Sequence, residues 1–167
     1  EAGVPRGIIS VLPGKGSVVG DVMVRHPLVK RVSFTGGTST GKSIAHAAAD
    51  KMMPVSLELG GKSPLIIFED APLENAVSGV LMANYYSTGQ ICTNGTRVFV
   101  HRSIRDRLVE KVAARVAKIR VGDPMDPATD LGTVVHEEAA KAFEARVYKA
   151  AEQGAKVLYD PGRQGAL

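Results

Sequence analysis

The chain has 167 residues, a formal net charge of +4, 44% hydrophobic and 23% charged residues, the balance of a globular domain with material for a core. It reads as having no membrane span and no signal-peptide pattern, and +4 is too modest to argue for nucleic acid, although anionic ligands are favoured. Cys92 is its single cysteine, which excludes an internal disulfide framework and fits a reducing, cytoplasmic compartment. The chain starts at Glu1-Ala2-Gly3 without an initiator Met and ends at Gly165-Ala166-Leu167 in a loop-like stretch. Both ends suggest a piece of a longer polypeptide.

In chain order, Ile8-Ile9-Ser10-Val11-Leu12, closed by Pro13-Gly14, predicts a buried strand. Ser17 to Val24 predicts a short helix that ends before His26-Pro27. Val32-Ser33-Phe34 is a second strand, followed by Thr35-Gly36-Gly37-Thr38-Ser39-Thr40-Gly41-Lys42 and a helical pattern from Thr40 or Gly41 to Asp50. Val55 to Leu59 and Pro64 to Phe68 predict two more strands, the last almost wholly aliphatic. Asp70 is the expected cap of a helix with Leu73, Ala76, Val77, Val80 and Leu81 on one face. After the Cys92 turn, Arg97 to His101 predicts a strand, and Ser103 the cap of a helix carrying Ile104, Leu108, Val112 and Val116. The basic residues Arg102, Arg105, Arg107, Lys111, Arg115 and Lys118 read as its solvated face. Asp123-Pro124 and Asp126-Pro127 mark a loop, a helix from Glu137 stops near Gly154, and Val157-Leu158-Tyr159 predicts a final strand before Pro161-Gly162. Strands alternating with helices indicate an α/β architecture with a largely parallel sheet.

Three places carry candidate chemistry. Gly36, Gly41, Lys42 and Ser43 satisfy the P-loop pattern in a strand–loop–helix context, and Leu65 to Asp70 imitates the aliphatic strand and acid such enzymes use for Mg²⁺. A glycine turn at a helix N-terminus suits any phosphate-bearing ligand, so the motif indicates a nucleotide site or only a tight turn. Glu58 is a carboxylate in an apolar strand, expected to share a face with Ser56 and Gly60. Burying it is costly, so it reads as a general base at a cleft or as an acid paired with Lys62 or a backbone amide. Cys92 lies between Gly89 and Gly95 among hydroxyl residues rather than aliphatics, which leaves a nucleophile and an inert structural cysteine as alternatives. None of His26, His46, His101 and His136 sits in a recognisable cysteine-protease context. No metal site is read.

Phe34-Thr35-Gly36-Gly37-Thr38 with Gly41, Leu57-Glu58-Leu59-Gly60-Gly61-Lys62-Ser63-Pro64, and Gly89-Gln90-Ile91-Cys92-Thr93-Asn94-Gly95-Thr96-Arg97 resemble the three signature segments of the NAD(P)-dependent aldehyde dehydrogenase superfamily. They stand in family order over nearly the whole chain. The text around Cys92 is most similar to betaine-aldehyde and aminoaldehyde dehydrogenases. The resemblance implies a modified Rossmann-like cofactor domain, of which 1–58 is the tail, followed by the front of an α/β catalytic domain over 59–167. It implies aldehyde oxidation with NAD or NADP, with Cys92 as nucleophile, its backbone N–H on the oxyanion and Glu58 as general base. Gly36 and Gly41 would shape the dinucleotide turn, with Gly37 and Thr38 near the pyrophosphate and Leu59 and Gly60 beside the nicotinamide. A small aldehyde is the implied partner, with no nucleic acid and no membrane, and the parent is expected to be a homo-oligomer, dimer or tetramer. Gly37 departs from the serine many members carry, and the stretch from Phe34 to Glu58 is one residue shorter, a difference expected in the loop after Asp50. The oxyanion asparagine, the cofactor lysine and the Glu-x-Phe-Gly-Pro segment of the family lie outside these residues, so the chain alone is expected to be inactive. A P-loop nucleotide hydrolase and a non-catalytic nucleotide-binding module are the rival readings.

Overall fold

Parallel strand pairs backed by helices carry the structure, a computed structural model that describes residues 3–160. It divides into two compact units, Glu1–Gly60 and Gly61–Leu167. The termini Glu1-Ala2 and Gly165-Ala166-Leu167 and the Pro161-Gly162 turn lie outside the described residues.

In the first unit a turn of π-helix, Gly16–Gly20, runs into α1 (Asp21–Arg25). The helix stops where the sequence expects, because the residue before Pro27 is pushed into extended backbone; His26 has ψ 131. Strand β1 (Val32–Gly36) leads through Gly37 into α2 (Thr38–Ala49), and β2 (Val55–Leu59) returns parallel to β1, with Val32 opposite Val55 and Gly36 opposite Leu59. Val24, Ala47, Ala48 and Met53 form the buried core, with Val29, Val32, Ile44 and Val55 packed around it. The Lys51 ammonium ties the turn after α2 to the end of α1 through the carbonyls of Val24 (2.9 Å), His26 (2.8 Å) and Val29 (3.4 Å). Met52, beside it, takes a left-handed φ of 51 with its side chain in water, so the chain turns tightly after Asp50.

The second unit opens with β3 (Pro64–Ile67), crosses over through α3 (Leu73–Tyr85) and pairs β3 in parallel with β4 (Arg97–Val100). Helix α4 (Arg105–Val116) covers α3, and α5 (Glu137–Glu152) follows a long loop. Ile67, Val77, Val80, Ile104 and Leu108 make the core. On the opposite sheet face Ile66, Phe68 and Phe99 are exposed, as strand alternation requires when Leu65, Ile67, Val98 and Val100 turn inward. The basic residues of α4 are solvated as expected, but two also brace α3: Lys111 Nζ lies 2.6 Å from Glu74 Oε1, and Arg115 donates to Ser78 Oγ at 2.7 Å. In the loop, Asp123 Oδ1 accepts from Met125 N (2.9 Å) and Asp126 Oδ1 from Ala128 N (2.8 Å), the turns that these Asp-Pro pairs set up. Helix α5 ends in a Schellman motif around Gly154, φ +93, with Gly154 N on Ala151 O and Ala155 N on Ala150 O.

Several expectations are corrected. Ile8–Leu12 is not a strand: Ile8, Ile9, Val11 and Leu12 are 60–83% exposed and no described strand offers them a ladder. Val157-Leu158-Tyr159 fails for the same reason and is likewise exposed. Asp70 does not cap α3, which starts later with Pro72 at the cap position and no side-chain cap bond. Ser103 is itself capped: the His101 ring accepts from Ser103 N and opens a 3₁₀ turn, Arg102–Ile104, ahead of α4. Helix α2 begins at Thr38, two residues before the expected start, because Gly37 already takes the extended cap conformation (φ −71, ψ 144).

The Lys111 hydrogen bond, then its charge, hold the Glu74 carboxyl below its ordinary value of 4.5. A depressed acid stabilises the fold above that ordinary value, and the contribution is lost as pH falls through the lower folded value. Lys111→Ala is expected to return Glu74 toward 4.5 in an NMR titration of side-chain carboxyls. Leu108, 3% exposed, fills the contact between α4 and α3. Leu108→Ala should lower the unfolding free energy by about 2–5 kcal/mol in chemical denaturation.

Candidate active site

The ends of β1 and β2 lie side by side because parallel pairing places Thr35 opposite Glu58 and Gly36 opposite Leu59. The carboxyl ends of parallel strands are where ligands bind in α/β sheets. Gly37 offers no side chain at the start of α2, and its carbonyl accepts the first intrahelical bond from Gly41 N at 3.0 Å. The amides of Thr38, Ser39 and Thr40 therefore precede any intrahelical acceptor and open on the exposed side of the turn. Gly41 is buried, and a Cβ there would stand 2.6 Å from Leu59 Cδ2, so only glycine lets Leu59 pack onto the first turn of α2. At Gly36 a Cβ would meet the Phe34 ring at 2.6 Å. The sequence-read residues Gly36, Gly37, Thr38, Gly41, Glu58, Leu59 and Gly60 are thus gathered at one sheet end.

Glu58 is exposed, not buried as the apolar run Val55–Leu59 suggests. The strand meets the cost of an ionised acid by turning it to water while Leu57 and Leu59 stay half-buried. Among the described residues of its unit the carboxylate has no hydrogen bond or ion pair, whereas Ser56 is taken by Arg31 at 3.0 Å. Lys62 Nζ bonds the Gly61 carbonyl at 3.2 Å. The P-loop reading loses its geometry as well. Thr38, Ser39 and Thr40 are wound into α2, so no loop remains between Gly36 and Gly41 to wrap a phosphate, and Lys42 lies exposed on the helix.

In the second unit α3 runs into a 3₁₀ turn, Tyr86–Gly89, in which Ser87 (φ 52), Thr88 (φ 56) and Gly89 (φ 71) are all left-handed. For a β-branched threonine this conformation is strained and needs outside support. Thr88 Oγ1 contacts the Gly132 carbonyl at 3.5 Å, and Gln90 Oε1 accepts from Val135 N at 3.1 Å, so the 131–135 loop braces the turn. Gly89 is required: its Cβ would stand 2.9 Å from the Asn84 carbonyl. Cys92 follows, exposed, in a turn closed by Asn94 N on the Ile91 carbonyl at 3.3 Å. The backbone beneath is tied down by Asn84, whose Nδ2 donates to Val80 O (2.9 Å) and Gly95 O (3.3 Å), and by Arg97, whose Nε donates to Lys62 O (2.8 Å). Asn94 is 6% exposed and its Nδ2 has no partner among the described residues, a vacancy that costs about 1–3 kcal/mol.

Asn84, Thr88 and Asn94 were not singled out by sequence reasoning. A carboxamide in the last turn of an otherwise apolar helix face was the available signal for Asn84. Burial near Tyr159 also raises the Tyr85 hydroxyl above 10.0, desolvation being the larger cause. Three of the four histidines are engaged elsewhere: His101 Nδ1 with Ser103 Oγ at 2.8 Å, His136 Nδ1 with Ala139 N at 3.0 Å, and His26 Nδ1 with Leu28 N at 3.2 Å; His46 lies within α2.

The parallel strand pairs and the helices that back them have the aldehyde dehydrogenase fold. The chain belongs to the aldehyde dehydrogenase family, whose family model matches residues 1–166. Among its relatives, betaine aldehyde dehydrogenase of Brucella anthropi is 46% identical over 162 residues, covering 97% of this chain and 33% of that protein. The chain therefore spans about a third of the length of the curated relatives it matches. Betaine aldehyde dehydrogenase of Staphylococcus aureus, solved in complex with NAD+, superposes with a TM-score of 0.85 at 42% identity, over 90% of this chain and 30% of that one. An NADP dependent enzyme of E. coli superposes with a TM-score of 0.93 at 35% identity, over 98% of this chain and 34% of that one. Nothing in these comparisons supports the P-loop reading. Among the described residues no helix is long and apolar enough to cross a membrane.

Gly95 packs against β3 and α3, and a Cβ there would lie 3.1 Å from Leu65 Cβ and 3.2 Å from Ala83 Cβ. Gly95→Ala is expected to destabilise the second unit by about 1–3 kcal/mol through overpacking, read as a lowered denaturation midpoint.

Proposed function

We propose that this chain carries the nucleophile and general base of an enzyme that oxidises an aldehyde to a carboxylic acid with NAD(P)+. The single observation carrying the reading is the exposed Cys92 on its braced turn, in a chain that matches the aldehyde dehydrogenase family from end to end. The residue roles and the assignment of 1–58 to a cofactor domain and 59–167 to a catalytic domain are part of the same proposal.

The first unit fits a dinucleotide. The free amides at the start of α2 suit a pyrophosphate, and the space kept open at Gly37 and Gly60, where a Cβ would meet nothing within 4 Å, admits close approach of a ligand. When bound, NAD(P)+ supplies the hydride acceptor. The Cys92 thiolate attacks the aldehyde carbon, and the carbonyl electron pair moves onto oxygen to give a thiohemiacetal oxyanion facing the Cys92 N–H. Loss of hydride leaves a thioester on Cys92. Glu58 takes a proton from water, the hydroxide adds to the thioester, and collapse expels the Cys92 thiolate with release of the acid. Exposure of Glu58 allows it to pass that proton to solvent. Betaine aldehyde, on the strength of the relatives' names, or an aminoaldehyde, on the resemblance of the text around Cys92, is the proposed substrate, and a homo-oligomer is the proposed assembly.

In the full-length polypeptide, Cys92→Ser is expected to abolish NAD(P)H formation while cofactor binding persists. Glu58→Gln should keep a first-turnover burst and lose steady-state turnover by about 10²–10⁴-fold. Full activity in Cys92→Ser would sink the proposal. The 167 residues alone are expected to turn over no aldehyde, as a direct assay with NAD and NADP checks.

A further inference from the structure

We infer that Gln90 is a positioning residue for Cys92, its carboxamide tying the cysteine turn to the 131–135 loop; the inference rests on reading Cys92 as the nucleophile. The thiol lies between two anchored points of the chain. Downstream, the Gly95 carbonyl accepts from Asn84 Nδ2 of α3 at 3.3 Å. Upstream, Gln90 Oε1 accepts from Val135 N at 3.1 Å, across 45 residues of sequence. Both bonds are made by side chains, so substitution removes them. Gln90 stands on the strained side, directly after the left-handed Ser87, Thr88 and Gly89. Strain of that kind persists only where the surroundings hold it, and its relaxation here would carry Cys92 along.

The loop that Gln90 grips is itself fixed at both ends. Leu131 bridges in parallel to Val121, with Gly122 N on Leu131 O at 3.0 Å and both Leu131 N (3.1 Å) and Asp130 N (2.9 Å) on Arg120 O. Asp130 Oδ2 also accepts from Arg120 N at 2.9 Å. On the other side His136 Nδ1 accepts from Ala139 N at 3.0 Å and starts α5. Val135 therefore presents its N–H from anchored backbone. Global stability gains little from the contact. Gln90 is exposed, so water competes for its carboxamide, and ordering a long side chain costs entropy that one such bond barely offsets. What the bond sets is the place of the chain two residues before the thiol.

The test uses the full-length polypeptide with Gln90→Met, which keeps the length of the side chain and removes the carboxamide, and Gln90→Glu, which keeps an Oε acceptor for Val135 N. Hydrogen exchange of the peptide spanning 131–135 reads the bond itself and is expected to quicken in Gln90→Met and stay near wild type in Gln90→Glu. The NAD(P)H burst rate with aldehyde needs a fixed attack geometry and should fall about 10- to 100-fold in Gln90→Met. Gln90→Glu should restore most of it. Iodoacetamide reaches the thiol from any direction, so alkylation of Cys92, followed over pH to correct for the added charge of Glu, should match the wild type in both variants, as should the thermal midpoint. Unchanged exchange or a wild-type burst in Gln90→Met overturns the inference. So does a fall in alkylation equal to the fall in burst, which means collapse of the turn, or a Gln90→Glu burst no better than that of Gln90→Met. A wild-type protein with no Cys92-dependent burst overturns the nucleophile reading and this one with it, and the wild-type control tells that case apart.

Discussion

The exposed Cys92 thiol sits on a turn whose base is closed by the carboxamide of Asn84. One nitrogen donates to Val80 O inside α3 and to Gly95 O beyond the cysteine. The end of the helix and the far side of the turn are thereby joined, and the loop between them is closed at its base. Everything distinctive about the segment follows from this closure. The chain must reverse within a few residues, so it passes through three left-handed positions, and Gly89 is obligatory because Asn84 O leaves no room for a Cβ. Gly95 is favoured too, since the closed base rests closely on Leu65 and Ala83.

The first unit solves a different problem with similar means. There the task is to bring a helix N-terminus next to a strand end without a side chain in the way. Gly37 supplies the bare cap and Gly41 the hollow that Leu59 fills. Parallel pairing then sets Glu58 level with Thr35, so the carboxylate and the bare helix start share one end of the strand pair. Glycines here are steric permissions for a neighbour, each tied to a particular atom pair.

Local chemistry made much of this readable from the residues alone. The His26-Pro27 stop, the Asp-Pro turns and the Gly154 terminator are short-range effects, and they stand where the pattern places them. The strands that paired were legible because each run has a neighbour of matching length. Ile8–Leu12 and Val157–Tyr159 have equal β propensity, yet propensity supplies no hydrogen-bond partner. Caps were misread where a less usual residue took the place of the usual one, as His101 did for Ser103. Glu58 was misjudged because alternation tells which residues share a face but not which face is wet. The braces on the Cys92 turn were invisible for a simpler reason: Gln90 meets Val135, and Thr88 meets Gly132, across more than forty residues of sequence.

The outer face of β3 and β4 presents Ile66, Phe68 and Phe99 to water. A contiguous apolar strip of this kind outweighs a net charge of +4 in deciding how molecules behave when crowded. A bare strip of this kind favours self-association as concentration rises. Low concentration, mild detergent or a charged substitution at Ile66 then becomes the practical route to a monodisperse sample.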